Sequence, residues 1–254
     1  MKKILNRIYA DYLMTSRLHE YEALLVAAKE AGYAQISIRK FFRGTKAKQV
    51  MVHRHDIDSD LRTAHKIFEL ECRHEVNSSY YFRLSTLDTG FMRDIEAAGS
   101  EASYHYEEIA DFAKQRHLHD PVEVRRHFPA LRNQFAANVA RITAGLGRSL
   151  STVASHGDFA NRKLGIFNHE LLDDVQLRKR CGIECETYDK YLLNQFDLYI
   201  TDRKYPAYYK PISPFDALGQ YQRICLLTHP VQWETNWVDN TRCNFRRLSE
   251  GLRW

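Results

Sequence analysis

Residues 49–60 read QVMVHRHDIDSD, and this stretch decides the fold class of the chain. Its first part, residues 49–53, predicts a short strand. The chain then reaches two carboxylates, Asp56 and Asp58, which Ile57 separates. Side chains alternate between the two faces of a strand, so the carboxylates share one face and Ile57 points to the other. The stretch therefore predicts a strand that ends in a polar site.

The same arrangement recurs along the chain. Further strands are predicted for residues 77–84, 101–105, 150–154, 198–201 and 223–228. Most of these strands are followed by apolar residues at helical spacing, most clearly over residues 128–146. A closing helix is predicted for residues 240–252. Regular alternation of strands and helices is typical of a parallel sheet or barrel.

The first 48 residues differ from the rest. Leu18, Tyr21 and Leu25 recur at helical spacing, and Gly32 predicts the end of that helix. We therefore predict a helical extension over residues 1–48, packed on an α/β barrel over residues 49–254. A chain of 254 residues fits one such domain overall.

The charge of the chain is modestly basic, with a formal net charge of +5. The arginine pairs 125–126 and 246–247 are short and have acidic residues nearby, so we interpret them as solvated faces, with phosphate contact as the alternative. A nucleic-acid-binding protein shows a clustered basic stripe instead. The predicted partners are a small-molecule or oligosaccharide substrate, without nucleic acid.

The sequence was also searched for targeting signals and membrane spans. No segment has the length and hydrophobicity of a signal peptide or a membrane span, so we expect a cytoplasmic protein without membrane insertion. The five cysteines have no regular spacing, which favours reduced thiols. They are Cys72, Cys181, Cys185, Cys225 and Cys243. The sequence does not specify an oligomeric state.

Polar residues with catalytic potential share one position, the C-terminal end of a predicted strand. They are Asp56 and Asp58, His105, His156, Asp202, and His229. Active sites of α/β barrels assemble at that rim, because the loops that leave the strands meet there. We therefore expect these side chains to lie close together.

Their chemistry suits an open metal site. One carboxylate with the imidazoles of His105 and His156 leaves coordination positions for water and substrate. The second carboxylate of the pair is then free to act as a base, although either aspartate suits either role. Asp158 is a candidate to orient an imidazole. His229 is a candidate general acid, because the pKa of histidine lies near neutral pH.

The order of these motifs resembles the polysaccharide deacetylase superfamily. The motifs are HDIDSD (55–60), GSEASYHYE (99–107), SHG (155–157), YITD (199–202) and LLTHP (226–230). The resemblance covers roughly residues 50–235. This superfamily is also called the NodB-homology or carbohydrate esterase family 4-like group. Within it, the chain is most similar to a cytoplasmic branch that has HDxD and YHYE motifs. It implies a distorted (β/α) barrel and a divalent metal, usually zinc. The implied activity is a metal-dependent hydrolase that removes an acyl group, such as acetyl, from an N-acylated sugar or related amide.

The resemblance also implies roles for single residues. Asp56 corresponds to the catalytic base and Asp58 to a metal ligand. His105 corresponds to a second ligand. His229 corresponds to the acid that protonates the leaving amine, and Asp202 to the carboxylate that supports the site.

Two motifs depart from the family pattern. The second motif has Ile109 where the family has a further histidine, and we predict that His156 replaces that ligand. The third motif lacks the family's Arg-Pro pair, and Asn161 and Arg162 are predicted to contact substrate in its place. Tyr106 is a further substrate-binding candidate, although strand packing is the favoured interpretation for the tyrosines of its cluster. The altered second motif also leaves an alternative, a catalytically inactive sugar-binding or regulatory protein.

Overall fold

A nine-stranded sheet organises the chain in the computed structural model, which describes residues 2–254. Met1, the first residue of the predicted extension, lies outside the described residues. The strands are β1 (Ala34–Ile36), β2 (Val50–Ile57), β3 (Ser79–Phe82), β4 (Glu101–Tyr106), β5 (Thr152–Ser155), β6 (Cys185–Glu186), β7 (Leu198–Asp202), β8 (Tyr209–Lys210) and β9 (Arg223–Thr228). Paired strands are parallel except for β7 and β8.

Helices connect most of the strands. They are α1 (Lys2–Ile8), α2 (Leu18–Glu30), α3 (Ile38–Arg43), α4 (Leu61–Arg73), α5 (Thr89–Ala97), α6 (Glu108–Arg116), α7 (Pro121–Arg126), α8 (Phe128–Leu146), α9 (Phe159–Leu164), α10 (Val175–Cys181), α11 (Lys190–Leu193), α12 (Pro214–Ala217) and α13 (Trp237–Arg253). A π-helical turn covers Tyr9–Leu13, and 3₁₀ turns cover Asn168–Asp173 and Pro230–Gln232. Within residues 2–254, no helix combines the length and apolarity that crossing a bilayer requires.

The sheet is curled into a half-barrel. Its strands follow the order β6-β5-β4-β3-β2-β9-β7-β8, with β1 beside the first half of β2. Arg54 on the central strand β2 hydrogen-bonds Tyr199 on β7 and also Tyr188, which follows the edge strand β6. The far edge of the sheet therefore bends round towards its middle. In the described residues β6 and β8 do not pair with each other, so the closed barrel predicted from the sequence is not established.

The curl gives the sheet a concave and a convex face. Val52, Tyr81 and Cys225 pack together on the concave face. On the convex face Ile57 packs with Tyr80 and with apolar residues of α5 and α8. Successive side chains of each strand thus point alternately to an inner layer on the concave face and to a helix layer on the convex face. The predicted opposition of Ile57 to the two aspartates is present, and it directs the aspartates inward.

The N-terminal segment contributes to the sheet as well as packing on it. Tyr21 and Leu25 of α2 pack against Met51 and Ile224 on the convex face, as the helical spacing predicted. The extension is not wholly helical, however, because β1 pairs in parallel with β2, with Ala34 opposite Val50. A three-residue strand is too short to show a periodic pattern. The two-residue strands β6 and β8 escaped prediction for the same reason.

Strand β2 is longer than residues 49–53. It continues through the polar sequence His53–Ile57 because the convex face supplies partners for its histidines. The ring of His55 lies 2.9 Å from the buried carboxylate of Glu71 and 2.6 Å from the hydroxyl of Thr228. Buried polar groups are tolerated when they are hydrogen-bonded. These contacts hold the strand straight up to the catalytic candidates.

Candidate metal centre and active site

The residues predicted from strand ends meet at one rim of the sheet. Asp56 and His105 stand on β2 and β4, while Asp58 and His156 directly follow β2 and β5. Parallel pairing of β2, β3, β4 and β5 aligns these strand ends side by side. His229 arrives from the neighbouring strand β9. A parallel sheet therefore brings together side chains that are up to 173 positions apart.

Three side chains form a compact donor set. Oδ1 of Asp58 lies 3.4 Å from Nε2 of His105 and 3.4 Å from Nε2 of His156. All three donor atoms lie within 4.8 Å of one another. A tetrahedral ion with bonds of about 2.0–2.1 Å separates its ligands by about 3.4 Å. The spacing therefore suits a zinc-sized cation.

The orientation of the donors also suits a cation. Nδ1 of His105 lies 3.0 Å from the carbonyl oxygen of Ala154, which fixes the ring and leaves Nε2 directed into the site. Oδ1 of Asp58 is buried and has no hydrogen-bond donor among the described residues. Burial would raise the pKa of Asp58, but His156, His105 and His229 hold it well below its ordinary value. A buried carboxylate oxygen without a donor is costly unless a positive partner compensates it, and a metal ion between the two imidazoles would do so.

The carboxylate of Glu107 lies beside the third ligand candidate, His156, and was not predicted as a site residue. Nδ1 of His156 lies 3.1 Å from Oε2 of Glu107, although not in hydrogen-bonding geometry. Arg83 holds Glu107 through two bonds of 2.8 and 2.5 Å. Burial would raise the pKa of Glu107, but His156 and Arg83 lower it. Glu107 directly follows β4 in the YHYE motif, and this position at a strand end could have indicated a site residue. Asp158 instead caps α9 and pairs with Lys114.

The second aspartate, Asp56, lies beside the donor set and is bound by an arginine. Nε and Nη2 of Arg54 donate to the two carboxylate oxygens of Asp56, each at 2.8 Å. Both side chains are almost completely buried. Burial would raise the pKa of Asp56, but the charges of Arg54 and His105 lower it. Asp56 is therefore an oriented carboxylate that stays ionised at neutral pH, with Oδ2 3.4 Å from His105 Nε2.

The histidine after β9 is anchored by Asp202. The carboxylate of Asp202 lies 2.7 Å from Nδ1 of His229 and accepts the backbone N–H of the same residue, also at 2.7 Å. The indole N–H of Trp233 donates to it at 3.1 Å. Burial alone would lower the pKa of His229, but Asp202, with Asp58 and Asp56 nearby, raises it to about 9. The imidazole is therefore protonated at neutral pH and able to donate a proton.

Two predicted substrate residues lie elsewhere. Tyr106 is completely buried and packs against Phe135 in the helix layer, so we assign it to packing. Asn161 is also buried, accepts the N–H of Asp158 and donates to the carbonyl of Ile166, so it caps α9 and does not face substrate. Strand alternation makes Tyr106 point away from the face that carries His105. Asn161 stands at the third position of α9, where it forms a capping box with Asp158.

An open cleft adjoins the donor set. A cavity of about 270 Å³ is lined by Asp56, Asp58, His105 and His229, and Tyr188 forms part of its wall. A larger cavity of about 630 Å³ begins beside it and includes Arg162 in its lining. Asp56, the donor set and His229 therefore line one cleft.

Comparisons with known proteins assign no family. No family model matches the chain, and no curated protein matches it. A CE4 family pseudoenzyme from Bacillus anthracis aligns with 81% of this chain at 14% identity and a TM-score of 0.42. A mutant of a CE4 family pseudoenzyme with restored enzymatic activity aligns with 81% of it at 14% identity and a TM-score of 0.43. The aligned parts span 63% and 65% of those chains, which is less than two thirds.

Proposed function

We propose that this chain is a metal-dependent hydrolase that removes an acyl group, acetyl in the leading case, from an N-acylated sugar or related amide. We also propose that its half-barrel is a distorted barrel of the polysaccharide deacetylase type. One observation carries the proposal: Asp58, His105 and His156 converge at metal-ligand spacing, and the lining of the same cleft includes Asp56 and His229. An open metal site flanked by a base and an acid is an arrangement that can catalyse amide hydrolysis.

The donor set defines where the cation would be held. Asp58, His105 and His156 are its proposed ligands, and their chemistry of one carboxylate and two imidazoles favours zinc. When bound, a divalent metal supplies Lewis-acid stabilisation for the negative charge that develops on the acyl oxygen. Glu107 positions His156 from behind, because its carboxylate is itself held by Arg83.

Asp56 is the proposed base. It is ionised at neutral pH and is directed towards His105 by the two-point contact with Arg54. It accepts a proton from the water that attacks the acyl carbon. Because Arg54 fixes both oxygens, no reorganisation of the carboxylate is needed before the proton moves.

His229 is the proposed acid. Its Nδ1 is held by Asp202, so Nε2 is the nitrogen left to meet the leaving group. A raised pKa keeps the ring protonated before reaction, and the departing amine nitrogen takes the proton as the C–N bond breaks. Asp56 and His229 are therefore assigned opposite roles by their surroundings, a carboxylate kept ionised and an imidazole kept protonated.

Metal content and acyl release test the proposal together. Purified protein loaded with zinc is expected to hold about one ion per chain and to release acetate from N-acetylated amino sugars. Asp56→Asn is expected to keep the ion and to lose on the order of 10²–10⁴ in kcat. Asp94→Asn makes the same chemical change on the exposed side of α5 and is expected to match the wild type.

Other outcomes would count against the enzyme. A protein that holds no ion under any loading condition contradicts the proposed site. A protein that holds zinc and binds N-acylated sugars but releases no acyl group from any of them supports the inactive sugar-binding alternative.

A further inference from the structure

The larger cavity beside the proposed active site has an unusual charge. It has a volume of about 630 Å³ and shares Asp58 and His156 with the smaller cleft, so a molecule in one can extend into the other. Among the described side chains, seven cationic and four acidic ones line it. The cationic ones are Arg83, Lys114, Arg162, Arg203, Lys204, Arg246 and Arg247, and the acidic ones are Asp11, Asp58, Asp158 and Glu250.

Three of these cations are neutralised within the protein. Arg83 is paired with Glu107 at 2.5 Å. Lys114 is paired with Asp158 at 2.9 Å and lies 3.6 Å from Glu250. Lys204 is paired with Asp11. The acids of the cavity, apart from Asp58 in the proposed metal site, are therefore already occupied.

Four arginines keep their charge uncompensated. Among the side chains that the structure describes, none places a carboxylate within 4.0 Å of Arg162, Arg203, Arg246 or Arg247. They come from three separate elements: Arg162 from α9, Arg203 from the position after β7, and the other two from α13. A solvated helix face explains charges on one helix, but it does not explain convergence of three elements on one cavity.

We infer that this cavity, which we call the arginine cavity, binds a phosphate or diphosphate group attached to the sugar that the metal site acts on. The inference rests on the proposed function for the position of the reacting amide. Guanidinium groups match phosphate oxygens in a two-point geometry, so four of them suit a doubly charged group better than a single carboxylate. The two cavities, about 270 and 630 Å³, fall in the size range of ligand sites when taken together. The substrate class is therefore an N-acyl sugar that carries a phosphate or diphosphate group.

Binding of inorganic pyrophosphate to the whole 254-residue chain without metal tests the inference. Titration calorimetry at low salt is expected to show one site. The double variants Arg162→Gln/Arg203→Gln and Arg246→Gln/Arg247→Gln are each expected to weaken its binding at least tenfold. Arg126→Gln/Arg141→Gln removes the same charge from exposed positions outside the cavity and is expected to change binding less than twofold. Equal weakening in all three double variants, or no binding to the wild type, would overturn the inference.

A matched pair of sugars identifies the source of the anion. The probes are an N-acetylated hexosamine, its 1-phosphate, and an N-acetylated hexosamine that carries a carboxylate. The 1-phosphate is expected to bind at least tenfold more tightly than the neutral sugar, and the two cavity double variants are expected to remove that preference. A stronger preference for the carboxylated sugar overturns the phosphate assignment.

Failure of the proposed function gives a different result. In that case the 1-phosphate still binds through the arginine cavity, but zinc-loaded protein releases no acetate from it. Acetate release from the neutral sugar at the same kcat/KM as from the 1-phosphate would support the hydrolase. It would also show that the arginine cavity does not recognise the substrate.

Discussion

At the scale of single residues, His156 is the proposed ligand that departs from the family pattern described above. Ile109 occupies the place of the missing histidine, and it is completely buried in an apolar cluster with Leu131 and Leu164. The imidazole of His156 instead approaches the site from the end of β5. We therefore propose that His156, at the end of β5, takes the place of the histidine that the family pattern has at position 109.

We expect His156→Ala to weaken zinc binding at least tenfold, because two donors hold the ion less tightly than three. Competition with a zinc-sensitive dye measures the change. His19→Ala is the matched control, since His19 is exposed on α2 and far along the chain from the donor set. Full zinc occupancy with wild-type affinity in His156→Ala would falsify the assignment of this ligand.

Asp202 sets the protonation of His229, so the pair predicts a pH dependence. The imidazole must be protonated to act, and its pKa near 9 places the loss of activity on the alkaline side. A cation at Asp58 opposes the raised pKa, so in the loaded enzyme kcat/KM is expected to fall as pH rises through about 9 or somewhat below it.

Asp202→Asn is expected to move this alkaline limb to lower pH by roughly one to three units, because a nearby carboxylate shifts a pKa by that amount. The pH profile of kcat/KM measures it. A purely structural role for Asp202 predicts lower activity with an unmoved limb, and that result would contradict the assigned role of His229.

At the scale of elements, a buried polar seam joins β2 to the helices on its convex side. The carboxylate of Glu71 on α4 accepts a hydrogen bond from Tyr21 on α2 at 2.6 Å and lies 2.9 Å from His55. His53 lies 3.2 Å from the same tyrosine hydroxyl. The seam satisfies the polar positions of β2 in the absence of solvent, so it supports the strand that carries both aspartates.

The seam predicts sensitivity to acid. Burial lowers the pKa of His53 to about 4, compared with 6.5 in its ordinary state. The unfolded chain therefore binds a proton at a higher pH than the folded chain does. The stability that neutral His53 contributes is complete above pH 6.5 and is lost as the pH falls towards 4.

We expect the free energy of unfolding to drop by about 2 kcal/mol between pH 7 and pH 5 through His53 alone. Urea unfolding of the metal-free protein measures this, and His53→Gln, which cannot be protonated, is expected to lose that part of the slope. His19→Gln is the exposed control and is expected to leave the slope unchanged. An unaltered slope in His53→Gln would show that the histidine is accessible to protons in the folded state.

At the scale of the whole molecule, the donor set exists only when the sheet is formed. His105 lies on β4, and Asp58 and His156 directly follow β2 and β5. These positions are separated along the chain, so the unfolded chain does not hold the three side chains together. Zinc at 100 times its dissociation constant is therefore expected to stabilise the fold by about 2.7 kcal/mol, or roughly 5–10 °C in Tm. Calorimetry with and without a chelator measures the shift, and a shift of equal size in His156→Ala would place the stabilising ion elsewhere.

Much of this architecture could be predicted from local pattern. The long helix α8 follows from apolar spacing, and β9 was predicted with the bounds it has, because both are long enough to show a period. Strands of two or three residues, such as β1, carry no period and were missed. Tyr106 was named as a substrate-binding candidate because a tyrosine on a strand suits either face. It neighbours His105 on β4, so its side chain points to the opposite face and packs in the helix layer.

By itself, the sequence determined the alternation of the longer strands with helices, the positions of the polar residues at the strand ends and the choice of Asp58, His105 and His156 as candidate ligands. Only the tertiary structure decided that Arg54 holds Asp56, that Glu107 supports His156 and that four arginines from three elements share one cavity. The physical reason is that periodicity and motif order act over a few neighbouring residues. Charge pairing depends on distances in space, which the curl of the sheet sets.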